Sequence, residues 1–199
     1  MRAFALATAL LCLCVLPAPA PAQEQQQQQP VTLVPVDQAT FDRGAAAFDA
    51  GRYGEAFEIF SGLAERGDVA ATRNVALMLR KGLGVAKDPA KAVEVYRRAA
   101  DAGLTTAQAD LGEMLLDGEA GTPDPRAAAH WLGLAAAAGH PIAQFHMARL
   151  YEEGTAVPQN QALAIKLYQA SAASGDKEAQ ARLAQLGVPG LPELRGPKP

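Results

Sequence analysis

Few side chains in this chain have types suited to catalysis. It holds three serines, Ser61, Ser171 and Ser174, and three histidines, His130, His140 and His146. A serine nucleophile needs a neighbouring base and, in the commonest α/β arrangement, a strand–turn–helix elbow. Each serine here falls instead at or near the packing face of a helical segment. A zinc site on a helix wants two ligands at i and i+4; His140 and His146 are six residues apart and straddle a turn. His130 adjoins Trp131 and reads as a solvated or half-buried side chain. Gly82-x-Gly84 has no strand before it and no Lys-Ser/Thr after it, so it is no phosphate cradle. Asp117 and the Glu152-Glu153 pair fall at helix ends, where a solvated face accounts for them. These absences point to a protein without catalytic, cofactor or metal residues, and hence not an enzyme.

The elements around those residues follow a strict period. Gly67, Gly103, Gly139 and Gly175 recur every 36 residues, and Ala71, Ala107, Ala143 and Ala179 follow each by four. Other columns hold the same register: Gly82, Gly118 and Gly154; Ala92, Ala128 and Ala164; Val95, Trp131 and Leu167. A fixed period of this size marks a repeat array, in which neighbours bury one another's apolar faces.

Each unit reads as two helices. In the first, apolar residues such as Ala71, Val75, Met78 and Leu79 fall at i, i+4, i+7 and i+8, one stripe of an α-helix. Gly82 and its counterparts can take the positive φ that closes a last turn. After a short loop, Asp88-Pro89, Asp124-Pro125 and Asn160-Gln161 supply a capping oxygen, and in two copies a proline at the first helical position. Ala92, Val95, Tyr96 and Ala99 then form the apolar stripe of the second helix. Gly112 stands where the other copies have Ala76 and Ala148, which predicts that a methyl fits there and that Gly112→Ala stabilises. Upstream, residues 40–67 form a divergent unit whose inter-helix loop is five residues shorter, since Gly51 precedes Gly82 by 31 rather than 36. Downstream, Ala179 opens a half-unit.

These columns resemble the Sel1-like repeat family, a relative of the tetratricopeptide repeat. The likeness rests on Ala107-Gln108, Ala143-Gln144 and Ala179-Gln180, on the loop from Gly82 to Asp88, and on the W/Y-x-x-A-A-x-x-G pattern of the second helices. It covers roughly residues 40–187, most of the chain beyond its first segment. The third and fourth copies depart in the loop, with Gly118-Glu119-Ala120-Gly121 and Gly154-Thr155-Ala156-Val157, and Ser171 replaces the usual alanine. The resemblance implies an all-α, right-handed α-solenoid of helix-turn-helix units. The units span about 38–67, 68–103, 104–139 and 140–175, with a capping helix at 176–187.

The two ends read differently. Arg2, the uncharged apolar run Ala3–Leu16 and Ala20-Pro21-Ala22 have the pattern of a secretory signal peptide, cleaved after Ala22 or after Ala20. The rival is an uncleaved anchor, for which the apolar run is short. Cys12 and Cys14, the only two cysteines, fall within it. Residues 23–37 form a Gln/Pro-rich linker and 188–199 a Pro/Gly-rich tail, where Leu191 and Leu194 offer a short apolar motif. The net charge of −3 becomes −4 once Arg2 is removed with the leader. A mildly acidic chain lacks the clustered basic face that nucleic-acid binding demands, and no membrane insertion is expected after cleavage. The expected location is the periplasm, or outside the cell.

In tetratricopeptide-like arrays the first helices line the concave face, so the resemblance makes their outer stripes the candidate partner-binding groove. In the second unit these are Arg73, Leu77 and Arg80; in the third, Glu113 and Asp117; in the fourth, Phe145, His146, Arg149 and Glu152. The second unit's stripe is basic, the third's acidic, the fourth's mixed. Phe145 has Arg73 and Ala109 as counterparts, so the repeat does not demand an apolar residue there; it is either an anchor for a partner or packs on a neighbouring helix. The expected function is a non-enzymatic scaffold that binds a protein or peptide in envelope signalling or assembly. A secreted effector contacting a host is the alternative, and a peptidoglycan-related hydrolase is third.

Overall fold

The computed structural model describes residues 38–188. The leader, the 23–37 linker and the tail beyond Val188 lie outside the described residues. Those described form nine helices and no strand: α1 (Gln38–Asp49), α2 (Tyr53–Glu65), α3 (Val69–Lys81), α4 (Pro89–Asp101), α5 (Thr105–Asp117), α6 (Pro125–Ala137), α7 (Pro141–Glu153), α8 (Gln161–Ala173) and α9 (Lys177–Gln185). Each helix packs on the next, and α5 also touches α7. The chain is an all-α solenoid of helix pairs, as the columns predict.

Local chemistry sets the helix ends. Asp88 and Asp124 accept the N–H of Lys91 and Ala127 at 2.9 and 3.0 Å, and Asn160 accepts that of Leu163 at 3.0 Å. Each bond satisfies one of the orphan donors of a first turn. The first helices end in the left-handed region at Gly82, with φ 73°, whose N–H donates to the carbonyl of Met78. The α1–α2 connection is residues 50–52, against 82–88 between α3 and α4. It is thus four residues shorter rather than five, because α1 ends two residues before Gly51.

The leading alanines, and the glutamines that follow them in three copies, have a physical job. The alanines Ala71, Ala107, Ala143 and Ala179 are fully buried, as are Ala92, Ala128 and Ala164 on the second helices. Side chains this small let neighbouring helices approach closely. The glutamines reach back to the previous helix: the Nε2 groups of Gln108, Gln144 and Gln180 donate to the carbonyls of Ala100, Ala136 and Ala172 at 3.2, 3.4 and 3.2 Å. Each adds a second hydrogen bond to a carbonyl at the end of a second helix, which already accepts the N–H of the periodic glycine. Ser171 is also explained. It is fully buried, and its Oγ lies 2.6 Å from the Asp176 carboxylate that caps α9.

Two side chains depart from the simple repeat. Trp131 is 8% exposed and joins the core cluster of Val95, Ala100 and Leu111, while its helix neighbours Ala128, Leu132 and Ala135 belong to the next cluster. Gly112 overturns the expectation that a methyl fits. A Cβ there would lie 2.6 Å from Leu132 Cγ and 3.2 Å from its backbone nitrogen.

Candidate partner-binding groove

The first helices α3, α5 and α7 carry the predicted stripe, and α9 follows them as the last described helix. On α3, Arg73 and Arg80 turn toward acidic side chains of the third unit. Arg73 Nε donates to Asp110 at 2.7 Å. Arg80 pairs with Glu113 at 3.2 Å, and its Nε donates to both carboxylate oxygens of Glu119 at 3.0 and 2.9 Å. The Arg80 side chain is only 15% exposed. Those hydrogen bonds hold the Glu119 carboxyl below its usual range. The unusual Gly118-Glu119 loop of the third unit therefore supplies half of an inter-unit clamp. Leu77 is half-buried and packs on the core beneath. Arg73 and Arg80 thus hold units two and three together.

The other predicted residues gather at the far end. Phe145, Arg149 and Glu152 line a 450 Å³ groove between α7 and α9, with Tyr168 and Arg182. Phe145, His146 and Glu113 line a second cavity of 570 Å³, with Ile142, Lys177 and Glu178. Phe145 and Glu178 line both, and Phe145 is the shared aromatic wall. Its ring lies 5.7 Å from that of Tyr168 and 5.6 Å from that of His146. It is half-buried, so it both packs on its neighbours and presents an edge to the two grooves. Asp117 is exposed and lines neither.

Electrostatics fix the floor. Glu152 accepts from the Tyr168 hydroxyl at 2.8 Å and from Arg182 Nε at 3.1 Å. The bond to Arg182 is the main reason its carboxyl is held below the ordinary range. Arg149 lies 3.7 Å from Glu153 one turn on, with both side chains about half exposed. That pair is loose and open to competition by a ligand. Burial lowers the pKa of His146, opposed by Glu113. Its Nδ1 is buried without a hydrogen-bond partner. Ile142 is 52% exposed on the rim.

Sequence reasoning missed Glu178, Arg182, Ile142 and Lys177. The signal was present. The half-unit's α9 is itself a first helix, and Arg182 falls in the column of Asp110 and His146, 36 residues apart in turn. The arrangement places an aromatic edge, two clefts and the half-exposed Arg149 together. Among the described residues, no three His, Cys, Asp or Glu side chains are grouped as a metal ion requires. No described helix is long and apolar enough to cross a membrane.

Comparison with known proteins agrees with the repeat reading. Among solved structures, a Sel1 repeat protein from Oxalobacter formigenes shares 32% identity at a TM-score of 0.68, over 75% of this chain and 63% of that one. A protective antigen of uropathogenic Escherichia coli, c5321, described as displaying an SLR fold, shares 28% at 0.70, over 76% of this chain and 34% of that one. The immunity protein Pa5087 from Pseudomonas aeruginosa shares 27% at 0.54, over 76% and 58%. This chain therefore spans less than two thirds of the length of each. A search of curated proteins gives no match. The family model described as Sel1 repeat matches residues 69–104, 105–140 and 141–176, in the register of the periodic glycines. On that match over more than half its length, the chain belongs to the Sel1 repeat family.

Proposed function

We propose that this protein is an exported, non-enzymatic scaffold that holds a protein or peptide in the groove formed by α5, α7 and α9, in bacterial envelope signalling or assembly. The architecture is that of repeat scaffolds for protein–protein interaction. The observation that carries the reading is Phe145, a half-buried aromatic shared by two adjoining clefts. Aromatic side chains in such settings are typical anchors of binding energy. Arg73, Arg80 and Glu113 are held in ion pairs, so the basic and acidic stripes of α3 and α5 serve mainly to stiffen the array. Export rests on Arg2, the apolar run and Ala20-Pro21-Ala22, and the proposed mature start is Gln23.

A second reading, contact with a host, draws on the likeness to the E. coli protective antigen. The two readings part on the identity of the partner. Chemical cross-linking from a photoreactive residue placed at Phe145 tests the scaffold reading in a bacterium expressing the chain. Capture of a defined envelope protein, lost when Arg149 is reversed to Glu, supports it. Cross-links that appear only with host cells favour the second reading, and none in either setting sinks the groove.

A further inference from the structure

The face built by the second helices carries a feature that the proposed groove does not use. Between α2 and α4, floored by α3, runs a 340 Å³ groove walled by Phe57, Val75, Leu79 and Val95. Two units on, between α6 and α8 and floored by α7, lies a groove of 220 Å³ walled by Met147, Tyr151, Leu163 and Leu167. The two are the same place in the repeat. Val75, Leu79, Lys91 and Val95 correspond, 72 residues on, to Met147, Tyr151, Leu163 and Leu167. At the junction between them the Val95 column holds Trp131, 8% exposed and part of the core cluster that includes Val95, Ala100 and Leu111. The array itself thus shows what this site accepts, a large aromatic side chain laid between consecutive second helices.

The first of the two open grooves also carries charge. Lys91 and Arg98 line it from α4, both exposed, and neither has an ion-pair partner among the described residues. Glu65 on the opposite wall is the one acid among the lining residues. Lys91, Val95 and Arg98 fall at i, i+4 and i+7, so they form one stripe with the cations about 10 Å apart and the apolar position between them. The second groove has Leu163 in place of Lys91 and offers no cation.

We propose that the α2–α4 groove is a docking site for an acidic amphipathic segment of a protein partner, which seats one aromatic side chain beside Val95 and sets carboxylates against Lys91 and Arg98. The mode is a helix laid in a groove, read by an apolar anchor and flanking charge. Charge complementarity sets orientation and selects against basic segments. The site is separate from the Phe145 groove and stands whether or not that groove binds anything.

The test uses the full chain and a synthetic helical peptide with Glu at i, Trp at i+4 and Glu at i+7, its affinity measured by calorimetry. Binding should weaken by about tenfold or more in Lys91→Glu/Arg98→Glu, the loss expected when two charge pairs become repulsive. Val95→Trp places in this slot the residue the next unit already holds there, and should abolish binding while circular dichroism shows the helices intact. Phe145→Ala should leave the affinity unchanged. The proposal falls if the peptide does not bind, if a Lys-for-Glu version binds equally well, or if charge reversal has no effect. Should Val95→Trp fail to fold, the charge-reversal pair and the Lys peptide still decide.

Discussion

Leu132 occupies the space that a side chain at position 112 would need. A Cβ on Gly112 would stand 2.6 Å from Leu132 Cγ. Gly112→Ala is therefore expected to destabilise, by about 1–3 kcal/mol, as overpacking of a filled core does. The equivalent pairs are Ala76 with Tyr96 and Ala148 with Tyr168, where a flat ring stands in place of the branched leucine. The double variant Gly112→Ala/Leu132→Tyr should recover part of the loss. Denaturant melts of the three variants give the coupling directly; additive effects would mean that Leu132 is not what excludes the methyl.

That pair marks the limit of what the sequence discloses. Period, helix pairing, caps and the buried alanines were legible because each is a local rule repeated in register. Gly112 was not, since a single column reports the residue and never its partner across the helix pair. The charged stripe was half legible for the same reason. Arg73 and Asp110 sit 37 residues apart, and Arg80 and Glu119 39 apart, so neither pair shares a column. A basic stripe followed one unit later by an acidic one could have been read as two stripes facing each other. Phe145 was legible as an exception to its column, though its contact with Tyr168 and its place between two clefts required the fold.

The Arg80 clamp makes stability depend on acid. The carboxyls of Glu119 and Glu152 titrate below the ordinary value of 4.5 because each accepts hydrogen bonds from an arginine. A depressed folded pKa contributes stability that is complete above the unfolded pKa and is lost as pH falls through the folded one. The melting temperature should thus hold steady from neutral pH to about 5 and fall below 4.5. Glu119→Gln should lower the neutral-pH plateau and flatten that fall. An unchanged pH profile in Glu119→Gln would show that the clamp adds nothing to stability.

Ala156 and Gly84 share a column and a left-handed backbone, with φ of 64° and 71°. For alanine that conformation is costly, so Ala156→Gly should stabilise by about 0.5–1 kcal/mol after the entropy lost by glycine is counted. The reverse exchange should be severe. A Cβ on Gly84 would fall 2.3 Å from the backbone carbonyl of Tyr53, which cannot swing aside as a side chain can. Thermal melts of the two variants should move in opposite directions; both moving down would place the strain at Ala156 elsewhere than in its backbone.

The groove prediction separates fold from function. Arg149→Glu removes a half-exposed cation held only by the loose contact with Glu153, so it should weaken partner binding while the melting temperature changes little. Phe145→Ala should weaken binding more, and because the ring packs on Tyr168 it should also cost about 2 kcal/mol of stability. Lys177→Glu belongs with these, since Lys177 lines the larger cleft. The neutral control is Lys166→Glu, at an exposed position on α8, a second helix. Truncation after Val188 should leave affinity intact. Calorimetry with the captured partner, alongside circular dichroism, ranks the five variants. The groove is supported if affinity falls for Phe145→Ala, Arg149→Glu and Lys177→Glu but not for Lys166→Glu or the truncation. If only the truncation abolishes binding, the contact is the apolar motif at Leu191 and Leu194 and the groove reading is wrong.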